Sequence, residues 1–160
     1  MTIGVGERIP SFTLLKATPE GPQPVDTDSF FAGRKVALFS VPGAFTPTCS
    51  ARHLPGFVEK ADEIAARGVD EIACLAVNDA FVLQAWARDA GAEDKVTMLA
   101  DGNGEFSKAL GLTMDASKFG MGTRSQRFSA IVDDGVVTQL NVEEPGAFRV
   151  SSAEYMLGQL

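Results

Sequence analysis

Short, unbroken apolar runs alternate along this chain with longer stretches of helical spacing. Val36-Ala37-Leu38-Phe39-Ser40-Val41 is almost continuously apolar, the pattern of a strand covered on both faces, and Pro42-Gly43 ends it. A helix is predicted from about Pro47 to Arg67, closed by Gly68. Pro55 falls inside it; without an N–H it loses the bond to Ala51, which predicts a kink. Ile72-Ala73-Cys74-Leu75-Ala76-Val77 resumes as a strand. Two buried strands joined by a helix predict a parallel, right-handed crossover. Asn78-Asp79 opens a second helix, with Val82 and Trp86 one turn apart on one face. Lys95 to Ala100 forms the next strand, and a short helix around Glu105 to Leu110 ends at Gly111.

Ser11 to Leu15 reads as a short strand, and the segment from Thr18 to Pro24, rich in Pro and Gly, as a loop. Phe128 to Val132 and Val136 to Leu140 flank Asp133-Asp134-Gly135, a strong hairpin signal. Ser151-Ser152-Ala153-Glu154 has the spacing of a capping box opening a last helix. These elements predict an α/β fold with a mixed central sheet and helices on both faces. With no internal repeat or linker, residues 1–160 are expected to form one domain.

The chain carries 14 Lys and Arg against 21 Asp and Glu, for a formal charge of −7. That balance argues against a nucleic-acid partner, which needs clustered cations along phosphates. No apolar run approaches the roughly 20 residues of a bilayer span, so no membrane association is expected. Met1 to Arg8 lacks the apolar segment of a signal peptide, so a cytoplasmic protein is expected. Two cysteines are too few for a disulfide scaffold, and with the single histidine, His53, they make no zinc spacing. No metal and no resident cofactor are therefore expected. Asp101-Gly102-Asn103-Gly104-Glu105 lacks the ligand ladder of a calcium loop and reads as a turn leading into a helix. Gly120-Met121-Gly122 follows no strand, which weighs against a dinucleotide loop.

Candidate chemistry converges on Cys49. Thr46 is a plausible N-cap and Pro47 suits the first helical position, which puts Cys49 third. Backbone N–H groups there lack intrahelical partners, and together with the helix dipole they favour a thiolate. The position also lies at the carboxyl edge of the 36–41 strand, where open α/β sheets present their sites.

The motif Pro42-x-x-x-Thr46-x-x-Cys49 resembles the signature of the peroxiredoxins, thiol peroxidases built on a thioredoxin-like fold. Pro42 to Phe57 is similar to the type II group, related to the atypical two-cysteine members. The likeness runs on through Asn78-Asp79-x-Phe81, Ala100 to Phe106, Thr123 to Phe128 and Leu140 to Glu143. The resemblance implies reduction of hydrogen peroxide and organic hydroperoxides through a sulfenic acid on Cys49, with Thr46, Pro42 and Arg127 as the other catalytic residues. Arg124 matches the same arginine-rich segment, with contact to the site left open. His53, one turn from Cys49, suggests a Cys–His dyad that the family pattern does not require.

The resemblance further implies an external thiol reductant (glutathione with glutaredoxin, or thioredoxin) and a homodimer to which exposed Phe45 or Phe81 could contribute. Two roles stay open for Cys74: a buried core residue or a resolving cysteine. It lies about four residues back from the strand end, on the order of 13 Å below the active edge. A disulfide needs Cα atoms within about 7 Å. The C-terminal segment Phe148 to Ser152 offers no cysteine instead. A general disulfide oxidoreductase would want Cys-x-x-Cys, and here Arg52 stands at that spacing. A redox-sensing binding protein, oxidised without turnover, is the alternative from another class.

Overall fold

A computed structural model describes residues 2–160. In chain order the elements are β1 (Thr13–Lys16), β2 (Gln23–Asp26), α1 (Thr27–Phe31) and β3 (Lys35–Val41). A helix begins at Pro47, widens into a π-turn over Cys49–His53 and continues as α2 (Leu54–Glu59). There follow α3 (Ala61–Ala66), β4 (Glu71–Ala76), α4 (Ala80–Asp89), β5 (Thr97–Ala100), α5 (Glu105–Leu110), β6 (Thr113–Asp115) and β7 (Thr123–Ser125). The chain closes with β8 (Phe128–Asp133), β9 (Val136–Val142) and α6 (Ala153–Leu157).

Seven strands form one mixed sheet in the order β2-β1-β5-β4-β3-β8-β9, while β6 and β7 pair separately. β3, β4 and β5 are mutually parallel, the expected helical crossovers, and the flanking pairs are antiparallel. Alternation along β3 divides the interior. Ala37, Phe39 and Val41 enter a core with α2, α3, α4 and α6, whereas Val36 and Leu38 face a second core with α1 and α5. The sheet is thus covered on both sides. The hairpin at Asp134-Gly135 places both residues at positive φ, 50° and 81°, as a tight turn between twisted strands requires.

Three expectations need correction. The 18–24 loop gives way at Gln23 to a strand; Pro24 is tolerated because β2 is at the sheet edge, where its missing N–H faces no further strand. The 47–67 helix is not continuous, since Lys60 leaves helical geometry at φ −95° and ψ 6° and separates α2 from α3. Ahead of Pro55 the turn is widened, with the Leu54 N–H donating to the Cys49 carbonyl. Finally, Ser152 rather than Ser151 caps α6, accepting from the Tyr155 N–H at 3.1 Å. Ser151 is drawn away because its hydroxyl donates to Glu143 at 2.7 Å.

The widened turn rests on an aromatic stack. Phe39 of β3 lies parallel to Phe57 of α2 with ring centroids 4.1 Å apart, and both side chains are wholly buried. Phe57→Ala is expected to lower the unfolding free energy by about 3–5 kcal/mol, read from urea denaturation followed by circular dichroism.

Candidate active site around Cys49

The antiparallel register of β3 with β8 sets Ser40 opposite Phe128. The next residues outward are Val41, leading to the Cys49 helix, and Arg127. Two segments distant in sequence therefore deliver a sulfur and a guanidinium to one edge of the sheet. Arg127 Nη2 donates to Cys49 Sγ at 3.1 Å. Its other terminal nitrogen, Nη1, is 2.8 Å from His53 Nδ1. His53 Nε2 is 2.9 Å from the Ser151 carbonyl oxygen. A carbonyl only accepts, so Nε2 carries the imidazole proton and Nδ1 is the bare acceptor for Arg127. His53 is wholly buried, with its ring centroid 4.9 Å from that of Phe39 and 5.0 Å from that of Phe148.

Burial holds His53 neutral, pushing its pKa from 6.5 down to about 3. The Arg127 guanidinium acts in the same direction, against the Ser151 carbonyl and the Glu143 charge. Glu143, just past β9, anchors the segment that presents that carbonyl. Its Oε2 accepts from the backbone N–H groups of Arg149, Val150 and Ser151 and from the Ser151 hydroxyl, at 2.7–2.9 Å. Burial pushes the Glu143 carboxyl up, yet these donors outweigh it and hold it below its usual range.

Pro42 and Thr46 lie at the turn between β3 and the helix. Thr46 Oγ1 donates to the Gly43 carbonyl at 2.6 Å, and no capping bond to its side chain is seen. With its proton committed there, the hydroxyl keeps its lone pairs free to accept. Arg124 does not reach the sulfur; it braces the turn instead, donating to the carbonyls of Pro42 at 3.2 Å and Met121 at 3.0 Å. A Cβ at Gly43 would stand 2.9 Å from Arg124 Nη1 and 3.0 Å from Met121 Cε, so those side-chain ends would have to shift to admit one. Phe45 takes a left-handed φ of 63°, a conformation that costs a non-glycine residue roughly 1–2 kcal/mol. Asn78 Oδ1 holds this turn in place by accepting from the Ala44 N–H at 2.9 Å.

The structure thus brings Cys49 and Arg127 into contact, and Pro42 and Thr46 line a groove of about 530 Å³ that Arg127 borders. Arg127 touches the sulfur and also lines that groove, alongside Met114, Phe119, Met121 and Pro145. Cys49 itself is fully buried. Cys74 is in the core on β4, also fully buried, and both thiols are free. Burial pushes the Cys74 thiol well above its usual range, with Cys49 adding to that and Arg127 opposing it. The sequence assigned His53 no required part in the site, Ser151 only a helix cap and Phe148 nothing. Their only sequence signal is a histidine one turn from the cysteine. Asp101 serves as a turn anchor, accepting from Phe106 N, Ser107 N and the Ser107 hydroxyl. No helix among the described residues is long and apolar enough to cross a membrane.

A family model described as Redoxin matches residues 4–157. Peroxiredoxin-2E, chloroplastic, of Arabidopsis thaliana is 51% identical over 99% of this chain and 70% of its own length. Peroxiredoxin-2B of the same plant is 47% identical over 99% of this chain and 98% of its own. A crystal structure of reduced Prx3 from Vibrio vulnificus in complex with hydrogen peroxide matches with a TM-score of 0.94 at 52% identity, covering 99% of each chain.

His53 is the only histidine, so its titration is isolated from that of any other imidazole. Its folded pKa lies below the unfolded value, so the unfolded chain takes up the extra proton as pH falls. The resulting stabilisation is complete above about pH 6.5 and declines towards about pH 3. Between pH 7 and pH 5 His53 is expected to remove roughly 2 kcal/mol of unfolding free energy. Urea denaturation at several pH values checks this, and His53→Gln should flatten the slope.

Proposed function

Because the chain belongs to the peroxiredoxins, as a type II member, and so is a thiol-dependent peroxidase, we propose that Cys49 is its peroxidatic residue. The observation that carries this reading is the 3.1 Å contact from Arg127 to the Cys49 sulfur. A guanidinium stays charged at any physiological pH and stabilises negative charge on the sulfur it touches. The Cys49 thiolate attacks one peroxide oxygen, the S–O bond forms as the O–O bond breaks, and the other oxygen departs as hydroxide or alkoxide and takes up a proton. Arg127 faces that developing charge with donors already in place. Thr46 accepts from the peroxide hydroxyl while its own proton stays on Gly43. Pro42 supplies an apolar wall with no N–H to compete. The sulfur lies beneath the surface, so the peroxide reaches it by a local opening beside Arg127, the wall shared by groove and sulfur.

The groove accommodates organic hydroperoxides as well as hydrogen peroxide, since Pro42, Met114, Phe119, Met121 and Pro145 give it a largely apolar lining. The sulfenic acid on Cys49 is then attacked by an external thiol, which forms a mixed disulfide and releases water; a second thiol frees Cys49. Cys74 is a poor candidate for that attack: buried and held as a thiol, it is a weak nucleophile. Glutathione with glutaredoxin is the favoured reductant, thioredoxin the alternative. Neither a metal nor a resident cofactor enters this cycle. Homodimerisation would cover Phe45 and Phe81, which are 51% and 71% exposed. A cytoplasmic location completes the reading.

Peroxide consumption by wild type, Cys49→Ser and Cys74→Ser, each with glutathione–glutaredoxin and with thioredoxin, tests the cycle. Cys49→Ser should be inactive and Cys74→Ser should keep turning over with glutathione–glutaredoxin. Oxidation of wild type that stops after one equivalent of peroxide would favour a sensor instead. Thr46→Val should lower kcat/KM for peroxide on the order of 100-fold, with Thr46→Ser retaining most of the rate. Stopped-flow oxidation of the reduced enzyme measures both.

A further inference from the structure

Most arginines of this acidic chain are committed to partners inside it. Arg8, Arg34, Arg67, Arg124 and Arg127 each donate to an acceptor within the fold. Among the described residues, the guanidinium groups of Arg52, Arg88 and Arg149 have no such acceptor. They also enter none of the ion pairs, which are Arg34–Glu71, Lys60–Glu63 and Lys95–Asp62. Arg88 is on α4, but Arg52 and Arg149 belong to the two segments around Cys49, and both are exposed. We propose that Arg52 and Arg149 form a docking site for the carboxylates of a small anionic thiol of the glutathione class, which reduces the Cys49 sulfenic acid. This rests on the assignment of Cys49 as the peroxidatic residue made above.

Position is the first support. Arg52 Cζ lies 4.7 Å from the Phe148 ring centroid, and Arg127 Cζ lies 5.8 Å from the same centroid. Arg127 in turn touches the Cys49 sulfur at 3.1 Å. One ring therefore links an exposed guanidinium to the one at the reacting atom. A tripeptide spans about 10 Å when extended, a length on the scale of that link. Order is the second support. Stacking on Phe148 restrains Arg52. The backbone that carries Arg149 is fixed, because Glu143 accepts from the N–H groups of Arg149, Val150 and Ser151.

Charge is the third. The chain as a whole carries −7 and repels an anionic thiol, so two unneutralised guanidinium groups select where it lands. Their planar forks match carboxylates. Glu143 is buried and spent on backbone donors, and Glu144 lines the groove beside Pro145. The step itself balances. The thiol sulfur attacks the sulfenic sulfur of Cys49, and the S–S bond forms as the S–O bond breaks. Oxygen leaves as hydroxide and takes up the proton released by the thiol, giving water. The sulfenic sulfur is reduced and the incoming thiol oxidised.

Glutathione and its diethyl ester present the same thiol and differ in carboxylate charge, so the unaltered enzyme supplies the first test. Wild type is oxidised with peroxide and mixed with either thiol, and the mixed disulfide is read by rapid quench and mass. Compared per thiolate at low salt, glutathione should react on the order of 10-fold faster than the ester, with the advantage shrinking as salt is raised. Replacing both arginines, Arg52→Gln with Arg149→Gln, should remove that advantage. It should leave the ester rate and the oxidation of Cys49 by peroxide unchanged. Equal rates for the two thiols on wild type overturn the proposal. So does a double variant that keeps the full preference for glutathione, or one that slows both thiols alike, since the arginines then act through packing. A variant impaired only with glutaredoxin or thioredoxin assigns the arginines to a protein partner and overturns it too. If instead Cys49→Ser keeps full peroxidase activity, the underlying assignment fails, whatever the arginines do.

Discussion

One guanidinium against one buried sulfur is the constraint around which this protein is arranged. Placing a charged group where water is scarce costs several kcal/mol unless other groups replace its hydration. Arg127 recovers this through a sulfur on one side and an imidazole on the other. Neither partner is a surface carboxylate, so the charge stays directed at Cys49. The fold delivers the contact through strand register. Ser40 pairs with Phe128, so the residues just beyond them, Val41 and Arg127, meet at the same sheet edge.

The same contact explains why so much of the surrounding chain is polar but interior. His53 has to be buried to remain neutral, and Phe39, Phe57 and Phe148 provide the enclosure. Glu143 and Ser151 are buried as well, and both are satisfied, which is the condition for keeping polar groups inside. The segment before α6 is therefore part of the site even though it contributes no reacting atom. Stability and chemistry are coupled here, because a proton on His53 would remove an acceptor and place a second cation beside Arg127.

The turn from Gly43 to Thr46 shows the complementary case of strain kept where it is useful. Phe45 sits at positive φ, and Asn78 and Arg124 brace the backbone on either side. Such conformations persist only when their surroundings over-determine them. What they secure is a Thr46 hydroxyl whose proton is already spoken for, and a helix whose widened turn spans Cys49 to His53.

Local pattern alone determined the strands of the sheet centre, their parallel crossovers, the final hairpin and the helix start that carries Cys49. Each rests on neighbours in sequence: apolar runs, Thr46-Pro47, Asp134-Gly135. The position of Cys49 at a helix start was legible for the same reason. Thr46, Pro42 and Arg127 entered the site only through family resemblance; local pattern reads the first two as a helix cap and a strand end, and an arginine's surroundings are not written beside it. Tertiary structure decided the rest. Which way Arg124 turns, what the Ser151 carbonyl meets and what holds Arg127 depend on residues 74 to 98 positions apart meeting in space. The widened turn before Pro55 was equally invisible, because local residues do not distinguish a bond to the fifth residue back from one to the fourth, and the folded chain shows the Leu54 N–H on the Cys49 carbonyl.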